Sequence, residues 1–167
     1  MNRQYCHSGA AYLLIALFAI SSCATAPSLD TTKVDSTAVP NEVNANNNLF
    51  LHKTVHWGGQ ILEIKNLSNQ SEVTVLGFPF DSSGTPDIDQ KPIGRFILVK
   101  SGFLEPLDYR KGKIISAVGR VSGSSRGKVG ETDYTYSLLR AQQIQLWPDP
   151  PKRTFGSHFS IGVGIGF

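Results

Sequence analysis

Cys23 follows Ile20, Ser21 and Ser22 at the close of an apolar run. A thiolate there is the best nucleophile the chain offers, and its sulfur can take an alkyl group as a thioether. The two small residues ahead of it let an extended backbone lie in a peptidase groove. Other candidates for chemistry are weaker. His52 and His56 stand four apart, a spacing that chelates zinc on a helix, but they fall at the entry to a strand with no third ligand nearby in sequence. The expectation is two surface or rim histidines and no metal. Asp81, Asp87, Asp89 and Glu105 could supply paired carboxylates for acid–base work. The three aspartates lie in a loop rich in Pro, Gly and Ser, where Asp bonds its own backbone, so turn formation is the better reading. Asp81 and Arg95 are expected to pair across neighbouring strands and pin that loop. Ser124-Ser125 within SGSSRGKVG lack the glycine spacing and the Lys-Ser/Thr pair of a phosphate loop, and a hairpin loop explains them more simply. No serine sits in a strand–turn–helix elbow. No catalytic residue is assigned, and the chain is not expected to be an enzyme.

The elements that would position Cys23 come next. Ala10 to Ile20 reads AAYLLIALFAI, with Arg3 the only full charge before it. The run is shorter than the roughly 20 apolar residues a spanning helix needs. It also lacks the polar positions of a helix with one solvated face. It matches the apolar region of a secretory signal peptide. Ile20-Ser21-Ser22-Cys23 resembles the lipobox of bacterial lipoproteins. That resemblance implies cleavage before Cys23, a diacylglycerol on its sulfur, an N-acyl chain on the new terminus, and handling by lipoprotein processing and sorting machinery. Cys6 lies in the part that would be removed, so no disulfide framework is expected. Two or three acyl chains hold a protein on a membrane where one alone is marginal. Ala24, where an Asp would favour retention in the inner membrane, points to the outer membrane of a Gram-negative envelope.

The 167 residues carry a formal charge of +3, or +2 without Arg3, with no basic run, which argues against a nucleic-acid partner. Sixteen glycines, nine prolines and abundant aromatics favour a turn-rich β protein. Four segments are expected: a cleaved signal peptide (1–22), the lipidated cysteine and a flexible tether (23–48), a β domain (49–148), and a Pro-containing linker with a Gly/aromatic tail (149–167). The tether reading rests on ATAPSLDTTKVDSTAVPNEVNANNN, which has isolated valines and no periodicity. As a coil it would span on the order of 25–30 Å.

Five apolar stretches predict strands over 55–64, 72–80, 94–100, 113–121 and 134–147. A long polar loop follows the second, one helical turn is expected around Glu105 to Tyr109, and SGSSRGKVGE reads as a loop between the fourth and fifth. In the first stretch Val55 and Trp57 share a parity that Leu62 and Ile64 do not. The switch suggests a bulge at Gly58-Gly59. Val73 and Val75, against Phe78 and Phe80 beyond Gly77, suggest a second. Bent strands with glycine kinks suit a small closed barrel. Five strands with a short helical link between the third and fourth point to an OB-like Greek-key barrel, with a β-sandwich as the alternative.

Several motifs spread over this domain carry a family resemblance. They are WGGQI (57–61) with Asn66, FPFD (78–81), GTPD (84–87), IGRFIL (93–98) and GFLEP (102–106). YRKGK (109–113), AVGRVSG (117–123), KVGETDYTY (128–136) and LWP (146–148) follow. Together they resemble the Slp family of Gram-negative outer-membrane lipoproteins. The resemblance implies a lipid-anchored β domain of the outer membrane, with no assigned molecular activity and a link in some members to starvation, stationary phase or acid stress. Within these motifs Gly58, Gly59, Asp81, Gly94, Arg95, Phe96 and Gly119 are read as structural positions.

Trp57, Tyr134, Tyr136 and Trp147, with Phe78 and Phe80, could line a groove, since OB barrels stack rings against polymer ligands. For a barrel this small, most of them are expected in the core, and Trp57, Tyr134, Tyr136 and Trp147 are kept as the candidate binding face. The tail SHFSIGVGIGF alternates apolar and small residues and ends on Phe, as closing strands of outer-membrane barrels do, but too few strands exist for a transmembrane barrel. The expected function is a non-catalytic envelope module with a periplasmic or outer-membrane protein partner. The alternative is a protein that binds or hydrolyses peptidoglycan or polysaccharide.

Overall fold

The computed structural model describes residues 29–149. The signal peptide, Cys23, residues 24–28 and the tail from residue 150 lie outside the described residues. Five strands form the body: β1 (Thr54–Asn66), β2 (Gln70–Phe78), β3 (Gly94–Ser101), β4 (Ile114–Val129) and β5 (Thr132–Leu146). They close in the order β1-β2-β3-β5-β4, with β4 returning to β1. Every pair is antiparallel except β3 with β5. This is the OB-type Greek-key barrel the strand pattern predicts, and closure leaves the sheet without an open edge.

Alternation explains the inside. Val55, Trp57 and Ile61 of β1, Val73 and Val75 of β2, Phe96 and Leu98 of β3, Ile115 and Ala117 of β4, and Leu139 of β5 are buried together. Trp57 meets Phe96 with ring centroids 5.1 Å apart and tilted, so side chains fill the interior.

The parity switch of β1 is real, but its bulge lies between Ile61 and Glu63, not at Gly58-Gly59. Those glycines answer to crowding instead. A Cβ on Gly59 would land on the Leu76 carbonyl, and one on Gly58 would lie 2.6 Å from Pro86 Cγ and 2.8 Å from Phe80 Cε1. The loop after β2 folds back over β1 at that point, joined by a Phe80–Pro86 bridge. β2 itself carries no bulge: it pairs residue by residue with β3 up to Gly77 and ends at Phe78, so its apparent switch is a strand end.

Two further expectations are corrected. SGSSRGKVGE is not a loop: 122–129 continue β4 and pair with β5 as far as Val129↔Thr132. Serine and glycine there follow the period-2 alternation of a ribbon, with Ser122, Ser124, Arg126 and Lys128 exposed. The tether is also folded over much of its length. Helices α1 (Pro40–Ala45) and α2 (Asn47–Phe50) precede β1, and Ala38, Pro40 and Val43 are buried. Composition misled because this segment needs only three apolar side chains to plug one end of a barrel. Pro40 at the first helical position and Glu42 in the first turn were the available helix signals.

Candidate functional site

Polar groups gather at three places, and two of them are ties. The first joins the plug to the barrel. Asn44 Nδ2 donates to the Arg95 carbonyl at 3.0 Å and to Tyr134 Oη at 3.2 Å. Its Oδ1 accepts from the Ser137 N–H and Oγ, both at 2.6 Å. Tyr134 Oη in turn accepts from the Arg95 N–H at 3.0 Å. The β3–β5 ladder begins only at Phe96↔Ser137, so Asn44 supplies partners to backbone groups at its open start. The helix approaches this closely because Gly77 and Gly94 carry no side chain beneath Pro40 and Asn41. Gly59, Gly77 and Gly94 are successive neighbours across β1, β2 and β3. A Cβ on Gly94, at φ +119°, would strike Asn41.

The second tie seals the opposite end. Ser71 Oγ, fully buried, lies within hydrogen-bond reach of the Gly102 carbonyl at 2.8 Å and of Asn66 Oδ1, its single proton serving one of them at a time, and accepts from the Leu104 N–H at 3.0 Å. Asn66 Nδ2 donates to the Leu104 carbonyl at 3.0 Å. The expected helical turn at 105–109 is present, with the Asp108 and Tyr109 N–H groups donating to the Glu105 carbonyl. Leu104 and Tyr109 pack on the core beside it.

The third place is the arm, the part of the β4–β5 hairpin beyond the barrel. Gly123 and Gly130 take positive φ, and Gly130-Glu131 makes its two-residue turn. Arg126 stands opposite Thr135 and Lys128 opposite Asp133. With Gly127 and Tyr134 they line a recess of about 480 Å³ that presents two cations and one carboxylate. Gly127 leaves room for the Tyr136 ring, whose hydroxyl donates to the Lys128 carbonyl at 3.3 Å. Tyr134 meets Tyr136 edge-on at 4.8 Å.

The four candidate aromatics therefore do not form one face. Trp57 is in the core, its Nε1 donating to the Ala38 carbonyl at 2.6 Å. Tyr134 and Tyr136 lie together on the arm. Trp147 sits at the other end of β5, donating to Ser116 Oγ at 2.9 Å. Asp81 and Arg95 do not pair. The Asp81 carboxylate accepts from Ser83 Oγ and N–H and the Thr85 N–H, and these bonds hold its pKa below the ordinary range. It is an Asx-type turn anchor, as the loop composition suggests, and Asp87 does the same for the Asp89 N–H. Phe96 is a core residue, and a Cβ on Gly119 would strike the Arg140 carbonyl. His52 occupies an exposed left-handed turn at φ 68°, whereas His56 stacks on Phe80 at 4.1 Å, its pKa lowered by burial. Among the described residues no three of His, Cys, Asp and Glu cluster as a metal would require.

Sequence reasoning missed Asn44, Ser71 and Ser137. The only signal for the serines was a small polar residue at an inward position of a strand.

Comparison with known proteins decides the family. The description of the outer membrane lipoprotein Slp family matches residues 20–161. The chain belongs to that family. An uncharacterized protein of Haemophilus influenzae is 35% identical over 96 residues, covering 57% of this chain and 52% of the relative. Two proteins of Escherichia coli K12 also match. The uncharacterized lipoprotein YeaY is 26% identical over 99 residues, covering 59% of this chain and 51% of its own length. The outer membrane protein Slp is 27% identical over 99 residues, covering 59% and 52%. The chain spans about half the length of the curated relatives it matches. As a member of that family it is an outer-membrane lipoprotein, and its described residues form a closed β-barrel domain.

Proposed function

We propose that this Slp family lipoprotein is a non-catalytic module, lipidated at Cys23, that offers its β4–β5 arm to a protein or polymer of the envelope and supports the envelope under starvation, stationary-phase or acid stress. One observation carries the reading: among the described residues the fully buried serines and the asparagines that meet them are engaged in structural ties, and His56 Nε2 is the buried side-chain polar atom without a partner. Asn44, Ser137, Asn66 and Ser71 bind backbone groups of plug and loop. The arm recess keeps Arg126, Lys128 and Asp133 exposed to solvent. An exposed ribbon of mixed charge, backed by the Tyr134–Tyr136 pair, suits partner contact.

Mass spectrometry of the native protein tests the anchor: a thioether-linked diacylglycerol is expected at residue 23. A photo-crosslinker at Thr135 in living cells tests the arm. Capture of one envelope component, lost when Arg126 and Lys128 are both changed to Ala, is the expected result. Release of soluble fragments from peptidoglycan or polysaccharide by the purified protein would overturn the non-catalytic reading.

A further inference from the structure

The segment before α1 lies along the β4–β5 side of the barrel, and that fixes which side faces the membrane. The Asp30 N–H donates to Gln143 Oε1 at 2.8 Å, and the Asp35 N–H donates to the Thr54 carbonyl at 2.8 Å. Lys53 closes this strap on the Asp35 carboxylate at 2.8 Å. Residues 30–35 therefore start against β5 and cross to β1. Six peptide links separate Leu29 from Cys23, a reach of about 20 Å at full extension. A domain of this size is on the order of 30 Å across. This step rests on the lipidation of Cys23 proposed above. With the anchor there, the β4–β5 side sits nearest the bilayer.

That side is cationic. Arg120 and Arg140 are direct cross-strand partners on the β4–β5 ladder, both exposed. Like charges placed opposite each other are destabilising. Neither has a carboxylate within ion-pair distance among the described residues, where Lys53, Arg110 and Lys113 carry the ion pairs. Beside them Lys33, Arg120, Thr54, Val118, Gln142 and Gln143 line a recess of about 390 Å³. Its one carboxylate, Asp30, is already engaged by the Thr32 hydroxyl at 2.7 Å and N–H at 3.1 Å. Asp30 keeps its charge and offsets one cation, so Lys33, Arg120 and Arg140 together leave this face net cationic.

We infer that the Lys33–Arg120–Arg140 surface is the membrane-facing side of the barrel and takes the phosphate headgroups of the bilayer that holds the anchor. An anionic headgroup between Arg120 and Arg140 relieves their repulsion. Basic residues near an anionic leaflet each add to membrane attraction, and the effect falls off within a Debye length. The reach from Cys23, about 20 Å at most, lets these two arginines come within that distance.

The test uses the native lipidated protein in vesicles of phosphatidylcholine, with or without phosphatidylglycerol. Arginine modification by phenylglyoxal is mapped by mass spectrometry, with Arg110 as the internal reference. Arg120 and Arg140 are expected to react about fivefold more slowly on the phosphatidylglycerol vesicles, and the protection is expected to fade in high salt. In the Arg120→Gln/Arg140→Gln variant, amine labelling of Lys33 should lose most of its dependence on lipid charge. Equal arginine rates on both vesicles overturn the inference. So does equal protection by inorganic phosphate in detergent solution, which would make the surface an anion site unrelated to the bilayer. The same spectra report the Cys23 modification. Lipidated protein with unprotected arginines overturns this orientation and leaves the anchor standing, whereas an unmodified thiol removes the anchor and the orientation with it.

Discussion

The two ends of the barrel are sealed by the same device from opposite parts of the chain. At one end Asn66 and Ser71 tie down a loop that begins immediately after β3. At the other, Asn44 ties down a plug from before β1, reaching Ser137 across 93 residues of sequence. Each asparagine uses its amide nitrogen and its carbonyl oxygen at once, which makes a side chain of this type hard to replace. The comparison teaches that a barrel needs very little apolar material to be closed. Its mouth is narrow, and a few small apolar residues on a well-tied backbone suffice.

The largest effect should come from removing the distant seal. A chain that begins folding at Leu49, where composition alone places the boundary, loses Ala38, Pro40, Val43 and Asn44 together. It should lose about 5 kcal/mol of stability in denaturant titration relative to the chain that keeps residues 29–48. Unchanged stability would return that segment to the status of a tether. Single substitutions sharpen the comparison. Asn44→Ala takes this partner from the buried Ser137 N–H and hydroxyl and from the Arg95 carbonyl and should cost about 3 kcal/mol, against about 2 kcal/mol for Asn66→Ala, where Ser71 still reaches the Gly102 carbonyl. The reverse order would mean that the local loop is the more important seal.

Smaller still is the effect of pH. Burial lowers the pKa of His56 from its ordinary 6.5, so its folded form prefers the neutral imidazole. The unfolded chain then binds the proton first, and stability should fall as pH drops below about 6.5. A His56→Phe variant should flatten that slope in thermal melts taken between pH 7 and pH 5. The strap titrates lower. Hydrogen bonds from Lys53 and Thr37 hold Asp35 at about 2, below its ordinary 3.8. Stability from that contact is present above 3.8 and lost as pH falls toward 2. The group is exposed, so the loss should be small and sensitive to salt, and Asp35→Asn should abolish it. Smallest of all is Asp81→Ala. It should leave global unfolding unchanged while raising hydrogen exchange at Ser83 and Thr85, since its bonds stay within its own loop.

Most of the barrel was legible in the sequence because its strands alternate. Val73, Val75, Phe96 and Leu98 sit inward as their period-2 pattern requires. The arm was hidden because Ser122 to Lys128 alternates small and charged residues, with hardly an apolar side chain to mark one face. The glycine pair was legible as special, but for the wrong cause. A parity change and a close backbone approach leave the same sequence mark, and only the position of the Leu76 carbonyl separates them. The aromatics illustrate the same limit at the candidate site. Nothing in a one-dimensional pattern distinguishes Trp57, donating inward to Ala38, from Tyr134, whose hydroxyl bridges Arg95 and Asn44.

The hydrogen bond from Asp30 to Gln143 spans 113 residues, and Asn44 waits on Ser137 in the same way. Asp30 and Asn44 thus find these partners only once β5 is present, whereas Asp35 and Ala38 meet β1 early. Contacts this remote in sequence slow folding. β5 is the last strand of the barrel in sequence and pairs with both β3 and β4, so the barrel cannot close until residues 132–146 are in place.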